Sequence, residues 1–303
     1  MVRICQKEED MFELVQAGER TYYIQAPAKI GIYEAGGHDV YLIDSGNDKD
    51  AGRKVRKVLE QNSWNLKAIL NTHSNADHIG GNRYLQQQYG CRIYAPGMEA
   101  AFTKHPLLEP SFLYGGYPFK ELRHKFLMAA PSCAEDVTAP GFPQEIDIIP
   151  LPGHFFDMAG YRTPDGTVFL ADCLSSQPAL EKYGLTFLYD VAAYLDTLHR
   201  VSSMQAELFI PSHADAARDI RPLARLNEEK VLEIAQQIKH ICEVPHPFES
   251  LLQKLFTQYQ LNMNFEQYVL IGSTVRSYLA WLKDRGEICG SFKDNQLLWN
   301  TVL

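Results

Sequence analysis

The hydrophobic pattern of the first hundred residues alternates between the period of a strand and the period of a helix. Four short runs rich in β-branched and aromatic residues (FELVQ, TYYIQ, KIGIYEA and HDVYLID) predict an antiparallel start to a sheet. Residues 48–61 place apolar side chains on one face and lysines and arginines on the other, which predicts a helix. LKAILN then predicts a buried strand that leads directly into His73, and a helix is expected over residues 79–89.

The middle of the chain contains a long segment of a different character. Residues 97–144, here called the insertion, hold many aromatic residues, glycines and prolines and show little periodicity. Such a length inside a compact domain is typical of a functional lid or binding loop, with an extra packed helix and loop as the alternative. Regularity returns with a strand that ends at His154, a hairpin whose second strand ends at Asp172, and a strand that ends at His213.

Long amphipathic helices characterise the last quarter of the chain. The third is expected to be interrupted at Gly272-Ser273-Thr274, where Ser273 can cap a second helix. The run GEICGSFKDNQLLW then predicts a β-hairpin, and this order of elements is typical of a winged helix. The predicted helices cover residues 226–242, 248–259 and 265–285.

Length and charge narrow the organisation and the partners. A chain of 303 residues can form one large domain or a domain with an appendage. We expect a catalytic domain over residues 1–222, with 97–144 as a lid-like insertion, and a helical, winged-helix-like region over 223–303. The formal net charge of −8 argues against a general nucleic-acid binder and favours a small-molecule partner.

The last region and the cysteines refine this picture. Residues 223–303 contain eight Lys/Arg and nine Asp/Glu, so they lack the basic face that phosphate contacts require. We expect this region to serve in packing, in lining a pocket or in forming a homodimer. Six scattered cysteines, an acidic amino-terminal segment without a signal-peptide pattern, and no apolar run of membrane-spanning length predict a cytoplasmic protein with no membrane association.

Imidazole and carboxylate side chains lie at or just beyond the carboxyl ends of several predicted strands. In layered α/β folds, binding and catalytic sites form at this edge of the sheet. These side chains begin with the cluster HSNADH at residues 73–78. Such mixed donors suit zinc, or alternatively iron or manganese, and one or two ions are expected. The first expected triad is His73, Asn75 and His154, the second is Asp77, His78 and His213, and Asp172 is placed to bridge them.

These motifs resemble those of the metallo-β-lactamase superfamily. The resemblance covers about residues 20–215 and implies an α/β fold, an αββα sandwich, with a C-terminal appendage like that of the glyoxalase II and β-lactamase-like protein 2 branches. It also implies that Asp44 supports the metal-ligating loop without itself binding the metal. The motifs are LIDSG (42–46), NTHSNADHIGGN (71–82), LPGH (151–154), LADC (170–173) and PSH (211–213).

Asn75 departs from the family's H-x-H-x-D-H pattern, because it stands where the second histidine is expected. A neutral amide oxygen is a weaker zinc ligand than imidazole, so the first triad should lose affinity. The hypothesis is one tightly bound metal at the second triad and a weak or absent one at the first. Two alternatives remain: Asn75 ligates well enough, or another side chain such as His105 replaces it.

The resemblance implies a hydrolase in which metal-bound hydroxide attacks a small ester, thioester or lactone. Asp77 and Asp172 are the candidate catalytic carboxylates, with Asp77 orienting the nucleophile. Tyr114, Tyr117 and Lys120 of the insertion are candidates for substrate binding and for stabilising an oxyanion. Two alternatives remain: a mononuclear-iron redox enzyme like the persulfide dioxygenases, and a nuclease or phosphodiesterase that uses the winged helix.

Overall fold

A computed structural model describes residues 12–302 of the chain and divides it into two compact units. The amino-terminal segment, in which no signal peptide was predicted, lies largely outside the described residues. The second unit contains two stretches that the sequence analysis placed in the catalytic domain, so the division at residue 222 stays a prediction. The first unit comprises Met1–Leu151, Phe156–Leu174 and Met204–Asp219, and the second Pro152–Phe155, Ser175–Ser203 and Ile220–Leu303.

Seven strands of the first unit form one sheet in the order of the chain. The first four pair in antiparallel fashion, as the alternating runs predicted, whereas the pairs from the fourth to the seventh strand are parallel. The carboxyl ends of the parallel strands therefore meet at one edge. The strands are β1 (Glu13–Gln16), β2 (Thr21–Gln25), β3 (Ile30–Gly36), β4 (Asp39–Ile43), β5 (Asn65–Leu70), β6 (Arg92–Ala95) and β7 (Ala134–Asp136).

A second sheet of the first unit packs on the first through a shared core. Leu70 and Tyr94 of the first sheet and Tyr161, Phe169 and Ile210 of the second are all buried in one apolar cluster. The second sheet has the order β11-β10-β9-β8. Its strands are β8 (Asp147–Pro150), β9 (Ala159–Arg162), β10 (Thr167–Ser175) and β11 (Leu208–His213).

The outer face of the first sheet is covered by helices. Val55, Leu59 and Leu85 pack with Ile32 and Leu42 of the sheet in a second apolar cluster. Burying these side chains is the main force that holds a helix layer on a sheet. The helices of the first unit are α1 (Lys49–Gln61), α2 (Ala76–Ile79), α3 (Asn82–Tyr89), α4 (Met98–Lys104) and α5 (Leu108–Tyr114), with a 3₁₀ turn at Lys120–Leu122.

Two helix predictions need correction. The helix expected over residues 79–89 begins at Asn82, because Ile79 belongs to the preceding short helix and bridges to Gly46. The interruption expected at Gly272-Ser273-Thr274 is wrong: one helix runs through it, because its buried face, with Val269, Val275 and Tyr278, packs on both sides of these three residues.

The second unit consists of helices and one small sheet. The predicted carboxyl-terminal hairpin is confirmed, and its turn places Asp294 and Asn295 at positive φ. Whether the region is a functional winged helix stays a prediction. Its elements are α6 (Gln177–Tyr183), α7 (Val191–Ser203), α8 (Arg221–Ile241), β12 (His246–Pro247), α9 (Phe248–Gln258), α10 (Phe265–Asp284), β13 (Ile288–Lys293) and β14 (Gln296–Thr301).

Candidate metal centre

Four potential metal ligands of the first unit converge on one point. Asp77 and His78 lie on α2, Asp172 lies within β10 and His213 ends β11. One ligand atom from each of these residues lies within 4.8 Å of the others. The predicted strand end at Asp172 is wrong, since β10 continues to Ser175, but β11 ends at His213 as expected.

Imidazole nitrogens and carboxylate oxygens alternate around this point. His213 Nε2 lies 3.3 Å from Asp77 Oδ2 and 3.2 Å from Asp172 Oδ2. His78 Nε2 lies 3.1 Å from Asp172 Oδ1 and 3.6 Å from Asp77 Oδ2. His73 Nε2 lies 4.0 Å from Asp172 Oδ2, so a fifth side chain faces the same group. Asp172 is the carboxylate that all three rings approach.

Asp44 fixes the Nδ1 atoms of His78 and His73, the first directly and the second through the Thr72 hydroxyl. Its Oδ2 accepts hydrogen bonds from His78 Nδ1 at 2.8 Å and from the Thr72 hydroxyl at 2.7 Å. Because that hydroxyl gives its proton to Asp44, its oxygen can accept from His73 Nδ1, 3.0 Å away. Both rings thus carry a proton on Nδ1 and turn Nε2 towards the centre, which is the tautomer that a metal ligand needs.

The third ring is fixed by the backbone. His213 Nδ1 lies 2.9 Å from the Pro27 carbonyl, which can only accept, so Nε2 is again directed to the centre. The chain on either side is held by Lys29, whose buried ammonium donates to the carbonyls of Pro211 and Ala214. Burial lowers the pKa of Lys29. His73 and His78 of the 73–78 cluster and His213 at the end of β11 therefore present the same nitrogen.

The carboxylates of Asp77 and Asp172 favour a positive charge between them and the imidazole rings. The Asp172 carboxylate raises the pKa of His213 to about 10. Burial by itself would lower the pKa of His78, but the carboxylates of Asp172, Asp77 and Asp44 raise it well above its usual value. Protons on the imidazoles balance the carboxylates in the absence of another cation. A divalent ion can replace those protons, so the donor set fits a metal site.

Access to the centre is uneven. The side chains of His73 and His78 are completely buried, whereas Asp77 keeps 43% and His213 33% of its side-chain surface exposed. The exposed side is therefore defined by Asp77 and His213, where water and a small molecule can reach the ligand atoms.

Two buried glutamates of the insertion hold the segment between His73 and Asp77. Glu99 accepts hydrogen bonds from the Ser74 amide at 3.0 Å and the Ser74 hydroxyl at 2.6 Å. Glu109 accepts one from Asn75 Nδ2 at 2.8 Å. Burial raises the pKa of Glu99 to about 7. The sequence analysis missed both residues; an acid within an otherwise apolar stretch, as in LLEPSF, was the available signal.

The Asn75–Glu109 contact determines what Asn75 can offer. Its amide nitrogen is engaged by Glu109, so only its Oδ1 can serve as a metal ligand. His105, the suggested replacement, ends α4 and lines a cavity of the insertion. Ligation by Asn75 stays a prediction, and Glu109 fixes the orientation of its amide.

Glycines bring the supporting loops close together. A Cβ on Gly80 would lie 2.2 Å from the backbone carbon of Asn47, and one on Gly81 would lie 2.3 Å from the Ser45 carbonyl oxygen. This close approach lets the Ser45 amide donate to the His78 carbonyl at 2.8 Å. The absence of side chains at Gly80 and Gly81 is therefore what permits this tight packing.

His154 lies in the second unit. Its ring packs edge-on against Phe187, with ring centroids 5.5 Å apart. The preceding Gly153, at a φ of +122°, packs against the backbone of Tyr194, and its carbonyl accepts from the amides of Tyr189 and Asp190. The place of His154 among the metal ligands stays a prediction.

The three insertion residues proposed to bind substrate are all exposed. Tyr114 packs against Phe119, with ring centroids 5.4 Å apart, and Lys120 begins the 3₁₀ turn. The Tyr117 hydroxyl accepts a hydrogen bond from Arg123 at 3.0 Å and lines a cavity with it. A role in substrate binding stays a prediction for all three.

Comparison with known proteins places the chain in a broad group. A family model described as the metallo-beta-lactamase superfamily matches residues 27–213, more than half of the chain. The hydroxyacylglutathione hydrolase of Rhizobium meliloti (strain 1021) is 30% identical over 42% of this chain and 41% of that protein. The beta-lactamase-like protein 2 homolog of Drosophila melanogaster is 22% identical over 59% of this chain and 56% of that protein.

The chain spans less than half the length of the curated hydroxyacylglutathione hydrolases that it matches. A solved structure of a metallo-beta-lactamase family protein from Thermus thermophilus superposes with a TM-score of 0.70 at 16% identity, covering 96% of this chain and 98% of that one. This likeness confirms the αββα fold with its carboxyl-terminal helical appendage. Among residues 12–302, no helix has the length and apolar character needed to cross a membrane.

Proposed function

The chain belongs to the metallo-β-lactamase superfamily, and from this premise we propose that it is a metal-dependent hydrolase of a small ester, thioester or lactone. The observation that carries the proposal is the convergence of Nε2 of His78 and Nε2 of His213 with the carboxylates of Asp77 and Asp172, while the Nδ1 atom of each ring is engaged elsewhere. Relatives named as hydroxyacylglutathione hydrolases favour a thioester.

Asp77, His78, Asp172 and His213 would hold the tighter metal ion, and two imidazoles with two carboxylates suit zinc. A divalent ion, when bound, lowers the pKa of a coordinated water towards neutrality. Asp77, exposed at the open side, would accept a hydrogen bond from the attacking water and orient it. Asp172, which all three rings approach, would fix the geometry of the ligands.

The test combines metal analysis with a substrate panel. Purified protein should contain zinc and, in a panel of thioesters, esters, lactones and phosphodiesters, should hydrolyse at least one of the first three classes. His213→Ala should lose both metal and activity, whereas His240→Ala, which changes an exposed histidine paired with Glu243, should lose neither. Iron with no hydrolysis would contradict the proposal and favour the redox alternative, and cleavage of phosphodiesters alone would favour the nuclease.

The number of metal ions depends on Asn75. A neutral amide oxygen binds zinc more weakly than imidazole, so we expect about one tightly held ion per chain after dialysis. Asn75→His should raise this ratio, because it restores an imidazole at the first triad. Glu109→Gln serves as the control, since its amide oxygen can still accept from Asn75 Nδ2. A ratio near two in the unaltered protein would contradict the one-ion hypothesis.

A further inference from the structure

The insertion contains a cavity that the candidate metal chemistry leaves without a role. Its volume is about 700 Å³, within the range of small-molecule sites. Most of its lining is apolar, with a few polar side chains. The apolar lining residues are Pro106, Leu107, Leu108, Met128, Ala129 and Pro131, and the polar ones are Lys104, His105, Ser111, Tyr117 and Arg123.

The charge of this cavity opposes that of the whole chain. Lys104 and Arg123 are cationic, and no Asp or Glu is among its lining residues in the part of the chain that the structure describes. The chain as a whole carries a formal net charge of −8. The Arg123 guanidinium donates to the Tyr117 hydroxyl and lies 5.4 Å from the centre of its ring, which orients the cation and leaves it further N–H donors.

Other cations of the insertion are used differently. Lys125 donates to Asp48 Oδ2 at 3.0 Å, and Asp48 also caps the first turn of α1. Its charge is therefore neutralised by a local partner. Lys125 offers a comparison within the same segment for the two cations that line the cavity.

One lining residue of the cavity, Ala129, packs against the helix that carries two of the candidate metal ligands. Ala129 packs with Ala76 and Ile79, the two apolar residues of the helix that carries Asp77 and His78. Leu108 immediately precedes Glu109, which holds Asn75. The wall of the cavity is thus formed in part by the residues that support the metal ligands.

We propose that this cavity binds the non-reacting part of the substrate, and that this part is an apolar group bearing a carboxylate or similar anion. The hydrocarbon portion lies against Leu107, Leu108 and Met128, and the anion pairs with Arg123 and Lys104. Burying apolar surface supplies affinity, while the guanidinium selects for charge through a charge-assisted hydrogen bond. This inference rests on the proposed hydrolase function and names the class of its substrate.

Calorimetric titration with octanoate, and with octanol as its uncharged counterpart, tests the cavity without requiring catalysis. Octanoate should bind saturably and more tightly than octanol. Arg123→Gln and Lys104→Gln should each weaken octanoate binding by about tenfold, the loss of one charge-assisted contact, and leave octanol unchanged. Lys125→Gln, the matched control, should alter neither.

Leu107→Asp places a charge among the apolar lining residues of the cavity, at a partly exposed position, and should weaken the binding of both octanoate and octanol. Absence of saturable octanoate binding, or equal effects of Arg123→Gln and Lys125→Gln, would overturn the cavity assignment even if hydrolysis is found. If octanoate binds the unaltered protein and His213→Ala equally, while the unaltered protein hydrolyses none of the esters, thioesters and lactones, the cavity assignment stands and the hydrolase proposal is contradicted.

Discussion

At the scale of single residues, Asp44 does more than support one ligand. Its carboxylate accepts a hydrogen bond from His78 Nδ1 and another from the Thr72 hydroxyl, whose oxygen accepts from His73 Nδ1. One side chain therefore sets the tautomer of two rings. Asp44 has a φ of +63° and Ala171, next to Asp172, has a φ of +51°. Such left-handed conformations are unfavourable for non-glycine residues and occur where the surrounding structure holds a site in place.

Thr72→Val removes the hydroxyl that links His73 to Asp44 and keeps the size of the side chain. Asp44, which orients His78 of the tighter site, then loses one hydrogen-bond donor, and His73 loses the acceptor for its Nδ1–H, so metal affinity should fall by about 10- to 100-fold. Competition with a chromogenic chelator measures this affinity. Thr103→Val is the matched control, because the Thr103 hydroxyl is buried without a hydrogen-bond partner among residues 12–302. Equal loss in both variants would contradict a role for the Thr72 hydroxyl.

The sequence could identify the candidate ligands but not the residues behind them. His73, Asp77 and His213 stand at or just beyond apolar runs, and their spacing is informative because strand ends assemble sites. Glu99 and Glu109 lie in the insertion, where no periodicity indicates which side chains are buried. Their contacts with Ser74 and Asn75 join residues 25 and 34 positions apart, and such pairing depends on the tertiary fold.

At the scale of elements, the short helix α2 depends on the loop beneath it. The loop donates two hydrogen bonds from Ser45 to the His78 carbonyl, and Gly46 bridges to Ile79. Only glycine at positions 80 and 81 leaves room for this approach. The position of His78 is therefore set by packing of backbone on backbone.

Gly80→Ala introduces a methyl group where a Cβ would lie 2.2 Å from the Asn47 backbone. The loop and the helix must separate, so the free energy of unfolding should fall by about 1–3 kcal/mol, and metal affinity should fall with it. Urea denaturation and chelator competition measure the two effects. Gly116→Ala, whose nearest neighbours lie 3.9 Å away, should change stability by less than about 0.5 kcal/mol.

Periodicity predicted most elements, and the errors have local causes. The helix α1 was expected at residues 48–61 and forms at Lys49–Gln61, because Asp48 accepts the amides of its first turn. The helix α10 was expected to break at three helix-disfavouring residues. Buried Val269, Val275 and Tyr278 instead keep it continuous, since tertiary packing outweighs intrinsic propensity.

At the scale of the whole molecule, the chain crosses between its two units more than once. Residues Pro152–Phe155 and Ser175–Ser203 belong to the second unit although first-unit sequence flanks them. Val191–Ser203 is a helix of the second unit, and hydrophobic periodicity carries no information about the partners of a helix. In the structure its Thr197 hydroxyl donates to the Pro152 carbonyl within the second unit. A boundary inferred from composition alone therefore could not assign these stretches.

The free energy of unfolding should fall at alkaline pH because Cys91 is buried in the core of the first unit. Burial raises the pKa of this thiol from 9.0 to about 12, so between these values the folded state keeps a proton that the unfolded state loses. Stability contributed by the neutral thiol is complete below pH 9 and declines by about 1.4 kcal/mol per pH unit above it. Cys91→Ala should flatten this decline in urea unfolding between pH 9 and 10. Cys133→Ala removes an exposed thiol and should leave the decline in stability with pH unchanged. An unaltered slope in Cys91→Ala would show that other buried groups govern alkaline stability.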